Sequence, residues 1–369
     1  MAAASVITDF ELPADLEARE PPEARGLRRD EVRLLVSDLQ RDSIKHAHFA
    51  DLPRWLSAGD LLVVNTSATV NAALSATTSD GRDFELHLST RLPGGLWSVE
   101  LRQLGEKDQQ GGSLPYTGTL AGTAVLLPAG GKATLLAPYP FVDSLASSSR
   151  LWTAAVEFPG GVDSYLVQHG RPIRYGYVER SWPIEMYQTV FANEPGSAEM
   201  PSAGRPFTPE LVTTLVSRGV EIAPLVLHTG VASLESHEPP YEEYYRVPRR
   251  TAERVNAARR DGGRVIAVGT TAVRALETVT DDTGTTSPGE GWTKLVITPD
   301  LPLRSVTGLI TGLHEPRATH LMLLERVVAA GIGTGVCGPC HLTRAYADAR
   351  RLGYLWHEFG DSHLIIGGR

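Results

Sequence analysis

The sequence has few of the features that mark secreted and membrane-spanning proteins. It contains two cysteines, Cys337 and Cys340, in 369 residues, so we predict that no disulfide framework holds the fold. No apolar run reaches the ~18 residues that a transmembrane helix needs. The first residues lack the basic segment and the long apolar stretch of a secretory signal. We therefore expect a cytoplasmic protein with no membrane span.

An excess of positive charge is also missing. Lysine and arginine number 35 against 43 acidic residues, for a net charge of −8. Proteins that bind nucleic acid by charge alone are usually basic, so the composition disfavours a nucleic-acid partner. It does not exclude one, because a local basic patch can suffice. Four arginine pairs are candidates for such a patch or, alternatively, for solvated helix faces: Arg28-Arg29, Arg249-Arg250, Arg259-Arg260 and Arg350-Arg351.

Alternating strand and helix signals run through the second half of the chain. Thr208-Pro209 has the form of a helix start, with an N-cap followed by proline, and Gly219 ends that helix. Strands are predicted over 220–227, 264–268 and 293–298, and helices over 251–260 and 272–279. This alternation predicts an α/β core with parallel strands.

Residues 71–154 have a different pattern. They are rich in Gly, Thr, Ser and Leu, and short alternating stretches such as 84–88 and 97–101 are separated by frequent turn signals. That pattern is typical of a small antiparallel β-barrel. We therefore predict a mixed α/β core formed by residues 1–70 and 155–369, with the barrel inserted as a second domain.

Several short motifs follow one another along nearly the whole chain. They are Phe10-Glu-Leu-Pro13, Gly59-Asp-Leu-Leu-Val-Val-Asn65, Pro201-Ser-Ala-Gly204, Leu227-His-Thr-Gly230, Gly262-Gly-Arg-Val-Ile-Ala-Val-Gly-Thr-Thr271 and Gly308-Leu-Ile-Thr311. Each is weak alone, but the ordered set is specific. In this order they resemble the S-adenosylmethionine:tRNA ribosyltransferase-isomerase family.

The resemblance implies a reaction and a set of site residues. The family transfers the ribosyl portion of S-adenosylmethionine to 7-aminomethyl-7-deazaguanine in tRNA; adenine and methionine leave, epoxyqueuosine results, and no metal takes part. S-adenosylmethionine is thus expected as a substrate. The residues expected to bind substrate are Asn65, Ser202, Ala203, Gly204, Gly230, Gly269, Thr270, Thr271 and Arg274.

The turn after the strand at 264–268 is the most interpretable part of this set. Gly269 permits close backbone approach, and we expect Thr270 or Thr271 to cap the following helix, whose amides and dipole favour an anion. Arg274 lies one turn inside that helix. A carboxylate such as that of methionine, or a phosphate, suits this site. The alternative is a plain strand–turn–helix junction with a surface arginine.

Four residues are candidates for proton transfer. The reaction needs a base for the carbon beside the sulfonium and a proton donor for the departing adenine. His228 follows a predicted strand, at the sheet edge where α/β folds bind ligands, and His314 has a similar setting. Glu243 and Asp361 are the acidic candidates. A lone histidine is, however, often structural.

The chain departs from the family pattern at several positions. It has Ala68 and Ala73 where the family has arginines, and it lacks family histidines at Pro206 and near Tyr241. The acceptor is therefore either tRNA or a smaller deazapurine. The rival interpretation assigns the chain to a different functional class, a catalytically silent nucleoside- or RNA-binding protein. We expect a monomer.

The segment Cys337-Gly-Pro-Cys340 matches the motif of thioredoxin-like redox sites. A predicted helix rather than a strand precedes it, so a coincidental Gly/Pro turn is favoured. A second pair of ligands with zinc spacing is missing.

Overall fold

The computed structural model describes residues 10–104, 113–116, 118, 121–140, 150–231, 241–298, 300–331 and 338–368. Its strands are β1 (Arg33–Asp38), β2 (Ser43–His48), β3 (Leu61–Asn65), β4 (Ser67–Thr69), β5 (Ala73–Thr78), β6 (Asp83–Arg91), β7 (Leu96–Leu104), β8 (Ser113–Pro115), β9 (Ala124–Leu126), β10 (Lys132–Tyr139), β11 (Leu151–Glu157), β12 (Glu194–Ser197), β13 (Glu221–Leu227), β14 (Glu243–Val247), β15 (Val265–Val268), β16 (Gly289–Thr293), β17 (Gly308–Gly312) and β18 (Ser362–Ile366).

The α-helices are α1 (Val162–His169), α2 (Pro209–Ser217), α3 (Arg249–Arg260), α4 (Thr270–Thr278), α5 (Thr319–Gly331) and α6 (Gly338–Arg351). Among the residues described, no helix combines the length and the apolar composition that a membrane crossing requires. Cys337 lies outside the described residues, so the interpretation of the two-cysteine motif stays a prediction.

Nine strands form a mixed sheet in the order β16-β14-β13-β3-β15-β17-β18-β1-β2. Its central strands β13, β3, β15 and β17 are parallel, as predicted. Strand β18 is antiparallel to β17 and parallel to β1, and β2, β14 and β16 add antiparallel edges. The carboxyl ends of the four central strands therefore meet at one edge of the sheet, where α/β folds bind their ligands.

Alternation along the strands gives this sheet two apolar faces. Leu35 of β1 and Val63 of β3 pack beneath α3, α4, α5 and α6. Leu34 and Leu62, their neighbours in sequence, pack on the opposite face with α2. Covering on both faces explains why the parallel strands contain nearly continuous apolar runs.

A second sheet closes into an antiparallel barrel. Its strand order is β11-β10-β9-β5-β6-β7-β8, and a further pairing of β11 with β7 closes six of these strands into a ring. The fold prediction, a mixed α/β core with a small antiparallel β-barrel, is confirmed. The barrel strands begin at Ala73 and end at Glu157. The division of the chain into two domains stays a prediction.

One predicted strand is wrong. Residues 294–298 were expected in a strand, but β16 ends at Thr293. The Thr293 hydroxyl oxygen accepts from the backbone N–H of Leu295, at 3.1 Å, and the Leu295 carbonyl accepts from Arg274 Nε at 2.9 Å. Side-chain hydrogen bonds thus replace strand pairing. Strand β16 itself begins at Gly289.

Candidate active site

A cavity of about 200 Å³, here called cavity 1, opens at the carboxyl edge of the parallel strands. It is lined by the segments that follow β13 and β15 and by the end of β17. Nine of the predicted site residues line it, although they come from distant parts of the chain: Ser202, Ala203, Gly230, Glu243, Gly269, Thr270, Thr271, Arg274 and His314.

The start of α4 forms one wall of cavity 1. Gly269 is the N-cap residue, with φ of 95°, and no side chain caps the helix. The prediction that Thr270 or Thr271 caps α4 is therefore wrong, because Gly269, with its positive φ, already occupies the cap position. The first amides of a helix have no partners within the helix. This wall therefore still suits an anion.

Arg274 and Glu243 form an ion pair at the cavity. The Arg274 Nε donates to the Leu295 carbonyl, while the other oxygen of Glu243 accepts from the backbone N–H of Gly230 at 3.0 Å. Arg274 is 8% exposed, so the alternative of a surface arginine is wrong. Protein oxygens already occupy its guanidinium, which therefore positions Glu243 and Gly230.

Two stacked imidazoles line another wall. The rings of His314 and His320 are parallel, with centroids 4.7 Å apart, and His314 Nε2 lies 2.7 Å from the Thr311 hydroxyl. Burial holds the pKa of His314 well below its usual value and lowers the pKa of His320 to about 4. Both rings are therefore neutral near pH 7. His320 was not identified from the sequence, since it lies in an ordinary apolar helix pattern.

Glu358 is a second residue that sequence reasoning missed. It lines cavity 1, and its Oε2 is buried without a hydrogen-bond partner among the described residues. Burial raises the pKa of this carboxyl to about 7. The preceding residue, His357, has φ of 73°, an uncommon conformation for a residue other than glycine. The short segment around Glu358 has no periodicity and no motif that signals such a site.

Two predicted binding residues lie beside the cavity. The Asn65 amide donates to the Leu227 carbonyl at 2.8 Å and accepts from the Leu227 N–H at 3.0 Å, which joins the end of β3 to that of β13. Asn65 also donates to Thr271 Oγ1 at 3.4 Å. Gly204 ends the short 3-10 helix that begins at Ser202. Both residues support the cavity walls.

Asp361 lies outside cavity 1. Its carboxylate accepts from the backbone N–H groups of Arg33, at 2.7 Å, and Leu355, at 2.8 Å, and it forms an ion pair with the Arg33 guanidinium. Burial nevertheless raises its pKa, against the opposing effect of these partners. This placement favours a structural role at the amino end of β18.

His228 lines a different cavity, here called cavity 2, of about 310 Å³. Its Nδ1 lies 2.7 Å from the Ser67 hydroxyl, and its ring stacks on Tyr244 with centroids 5.4 Å apart. Burial lowers the pKa of His228. The structure therefore separates the two predicted histidines, with His228 in cavity 2 and His314 in cavity 1.

The protein thus belongs to the α/β class, with a closed barrel beside its mixed sheet and a cavity at the carboxyl edge of the parallel strands. The chain belongs to the family described as queuosine biosynthesis protein, whose model matches residues 7–365.

Curated relatives span almost the whole chain. The S-adenosylmethionine:tRNA ribosyltransferase-isomerases of Moorella thermoacetica, Carboxydothermus hydrogenoformans and Thermotoga maritima are 36%, 35% and 34% identical to it. Each comparison covers 97% of this chain and 98% of the relative. The crystal structure of the S-adenosylmethionine tRNA ribosyltransferase from Thermotoga maritima is similar, with a TM-score of 0.50, 29% identity, and coverage of 97% of this chain and 99% of that chain.

Proposed function

We propose that the protein is an S-adenosylmethionine:tRNA ribosyltransferase-isomerase. It transfers the ribosyl portion of S-adenosylmethionine to the amine of 7-aminomethyl-7-deazaguanine in tRNA and leaves epoxyqueuosine. Three bonds form: the N–C bond to the acceptor amine, the C–C bond that closes the cyclopentane and the new C–O bond of the epoxide. Three bonds break: the glycosidic bond to adenine, the C–S bond to methionine and one ring C–O bond of the ribose. The amine and the carbon beside the sulfonium each lose a proton, adenine takes one up, and no external oxidant or reductant is needed. The observation that carries this proposal is cavity 1, which is built from the segments that resemble the family.

The charges in cavity 1 fit S-adenosylmethionine. This substrate has a carboxylate at one end of its methionine portion and two positive groups, an ammonium and a sulfonium. The start of α4 at Gly269 offers backbone amides and a dipole for the carboxylate. Glu199 and Glu358 offer carboxyl groups to the positive groups, whereas the charge of Glu243 is balanced by Arg274.

Glu358 is the best-placed residue for proton transfer. A carboxyl with pKa about 7 is populated in both protonation states near neutral pH, which suits a general base or a general acid. We assign it the proton on the carbon beside the sulfonium. The neutral His314 and His320 orient the substrate, because their lowered pKa values make them poor carriers of a proton at pH 7. Of the residues predicted to be catalytic, Glu243 and His314 line cavity 1.

A smaller deazapurine acceptor is the second candidate. Ala68 on β4 and Ala73 on β5 stand where the family pattern has arginines, and the hydroxyl of Ser67, next to Ala68, bonds to Ser197 and His228. Fewer cations mean fewer phosphate contacts. The whole-length relationship to enzymes that act on tRNA nevertheless favours tRNA.

Product analysis tests the proposal. The protein is incubated with S-adenosylmethionine and either tRNA that carries the aminomethyl-deazaguanine base or the free base, and adenine and the modified nucleoside are measured by mass spectrometry. We expect adenine release and epoxyqueuosine in tRNA, unchanged by a metal chelator. Turnover of the free base alone establishes the smaller acceptor. Binding of S-adenosylmethionine without adenine release with any acceptor establishes a silent binding protein.

A further inference from the structure

Cavity 2 has no assigned role, yet it has the composition of a site for a flat heterocycle. Four aromatic rings line it: those of Trp97, His228, Tyr244 and Trp292. The His228 and Tyr244 rings stack, and Trp292 meets Tyr244 edge-on with centroids 6.0 Å apart. Unpaired bases bind to proteins by stacking on aromatic surfaces of this kind, and a volume of about 310 Å³ lies within the usual range for ligand cavities.

Cavity 2 has charged groups of both signs, with Arg91 as its cationic lining residue. Asp163, in the first turn of α1, and Glu194, in β12, both line it. Glu194 is partly neutralised by its ion pair with Arg246, whereas Asp163 is exposed at the rim. An aminomethyl group is protonated at neutral pH, and the base edge of a deazaguanine presents N–H donors. Carboxylates complement both features.

The two cavities are neighbours across one glycine. Gly230 lines cavity 1, and a Cβ built on it meets the hydroxyl oxygens of Ser89 at 2.6 Å and Thr90 at 2.9 Å, two residues that line cavity 2. His228, two residues earlier, lines cavity 2 itself. Gly230 therefore packs directly against the wall of cavity 2, and a wall one residue thick separates the two cavities.

From this arrangement we propose that cavity 2 binds the acceptor base. The deazaguanine ring stacks against Trp292 and Tyr244, and its ammonium lies within reach of Asp163. The adjacent cavity 1 then holds S-adenosylmethionine, with Gly230 between the two substrates. This inference rests on the proposed function, because it assigns the second substrate of that reaction.

Steady-state kinetics with both substrates tests the assignment. For Trp292→Ala we expect the KM for the acceptor to rise about tenfold or more, since a lost stacking contact weakens binding by about that factor. The KM for S-adenosylmethionine should stay within about twofold. Trp182→Ala is the matched control, because Trp182 packs beneath Arg180 and lines neither cavity. Trp292→Phe should restore most of the acceptor affinity.

A second variant tests the charge. Asp163→Asn should raise the KM for the aminomethyl acceptor several-fold. It should leave the affinity for tRNA with unmodified guanine at that position unchanged. Glu210→Gln is its control, because Glu210 is also an exposed carboxylate in the first turn of a helix.

Calorimetric titration of the free aminomethyl-deazaguanine base separates failure of this inference from failure of the proposed function. Binding that Trp292→Ala abolishes supports cavity 2 even if the wild-type protein shows no turnover. Equal binding by the wild type and Trp292→Ala overturns the assignment, as does a rise in the KM for S-adenosylmethionine alone.

Discussion

At the scale of single residues, the site depends on carboxyl groups whose environments differ. Glu243 is paired with Arg274, and Asp361 is held by Arg33. The Oε2 of Glu358 has no hydrogen-bond partner among the described residues. Only the last of the three combines a place at cavity 1 with the raised pKa that suits proton transfer.

The Glu358→Gln substitution should raise the stability of the protein at alkaline pH while it lowers the activity. The folded pKa of about 7 lies above the ordinary value of 4.5, so the contribution of Glu358 to stability is greatest below pH 4.5 and is lost as the pH rises through 7. The glutamine variant lacks this loss. It should be about 1–3 kcal/mol more stable than the wild type at pH 8 and nearly equal at pH 4.

Its turnover should fall by about 100-fold or more, with little change in the KM for S-adenosylmethionine. Urea denaturation at both pH values and adenine release are the measurements. A variant that is stabilised at pH 8 but fully active would remove Glu358 from the reaction.

Arg274→Ala should reduce stability as well as binding. Removal of the guanidinium leaves the Glu243 carboxylate largely buried without its cation, which costs about 2–4 kcal/mol. Chemical denaturation measures this loss, and Arg274→Ala with Glu243→Gln should lose less than the sum of the two single variants. Arg82→Ala, which breaks an exposed ion pair with Asp80, should cost less than about 1 kcal/mol. A similarly small cost for Arg274→Ala would show that the pair is dispensable.

At the scale of elements, local signals in the sequence predicted more than long-range ones. The Thr208 hydroxyl caps α2 by accepting from the N–H of Leu211, as Thr208-Pro209 indicated. The cap of α4 was assigned to the wrong residue because Gly-Thr-Thr contains two residue types that favour capping, and the conformation of the chain after β15 selects the glycine. Residues 294–298 have strand composition, but hydrogen bonds to Arg274 and Thr293 keep them out of the sheet.

Gly269→Ala should weaken S-adenosylmethionine binding. With φ of 95°, an alanine strains the start of α4 and tilts the amides that form the cavity wall. Gly262→Ala is the control, because Gly262 also has positive φ, at 76°, but has nothing within 4 Å of its Cβ position and lines neither cavity.

Both substitutions should cost about 1–3 kcal/mol. Only Gly269→Ala should raise the KM for S-adenosylmethionine, by about tenfold. Equal KM values in the two variants would exclude the start of α4 from the binding site.

At the scale of the whole molecule, the parallel strand order explains why many site residues were predictable. Parallel strands place residues 229–230, 269–271 and 311–312 at one edge. The sequence analysis predicted His228 at the same edge of the sheet. Side chains of neighbouring residues in an extended chain point in opposite directions, so the His228 ring lies in cavity 2. Glu358 and His320 reach cavity 1 only through tertiary packing, and no local sequence pattern indicates their position there.

The arginines of α3 bear on tRNA binding. Arg250 lies at the start of this helix and Arg260 at its end, about 15 Å apart. The start of α3 lies nearer the carboxyl edge of the sheet than its end, because Thr251 donates to the Pro224 carbonyl of β13 and Arg254, further along the helix, donates to the Ile222 carbonyl. Arg259 at that far end is bound to the Gly284 carbonyl.

We expect Arg250→Glu to lower the salt dependence of tRNA affinity by about one phosphate contact, and Arg260→Glu to leave it unchanged. Binding titrations between about 0.05 and 0.2 M salt measure both slopes. Identical slopes for the wild type and Arg250→Glu would remove the start of α3 from the tRNA surface.

The most direct test of the central claim is the stoichiometry of the products. The wild-type protein is incubated with S-adenosylmethionine and tRNA that carries the aminomethyl-deazaguanine base, and the nucleosides and small molecules are quantified by mass spectrometry. We predict one adenine and one methionine for each epoxyqueuosine formed in the tRNA. Adenine that stays attached to its ribosyl group, with every acceptor and at every salt concentration tested, would contradict the assignment of this protein as a ribosyltransferase-isomerase.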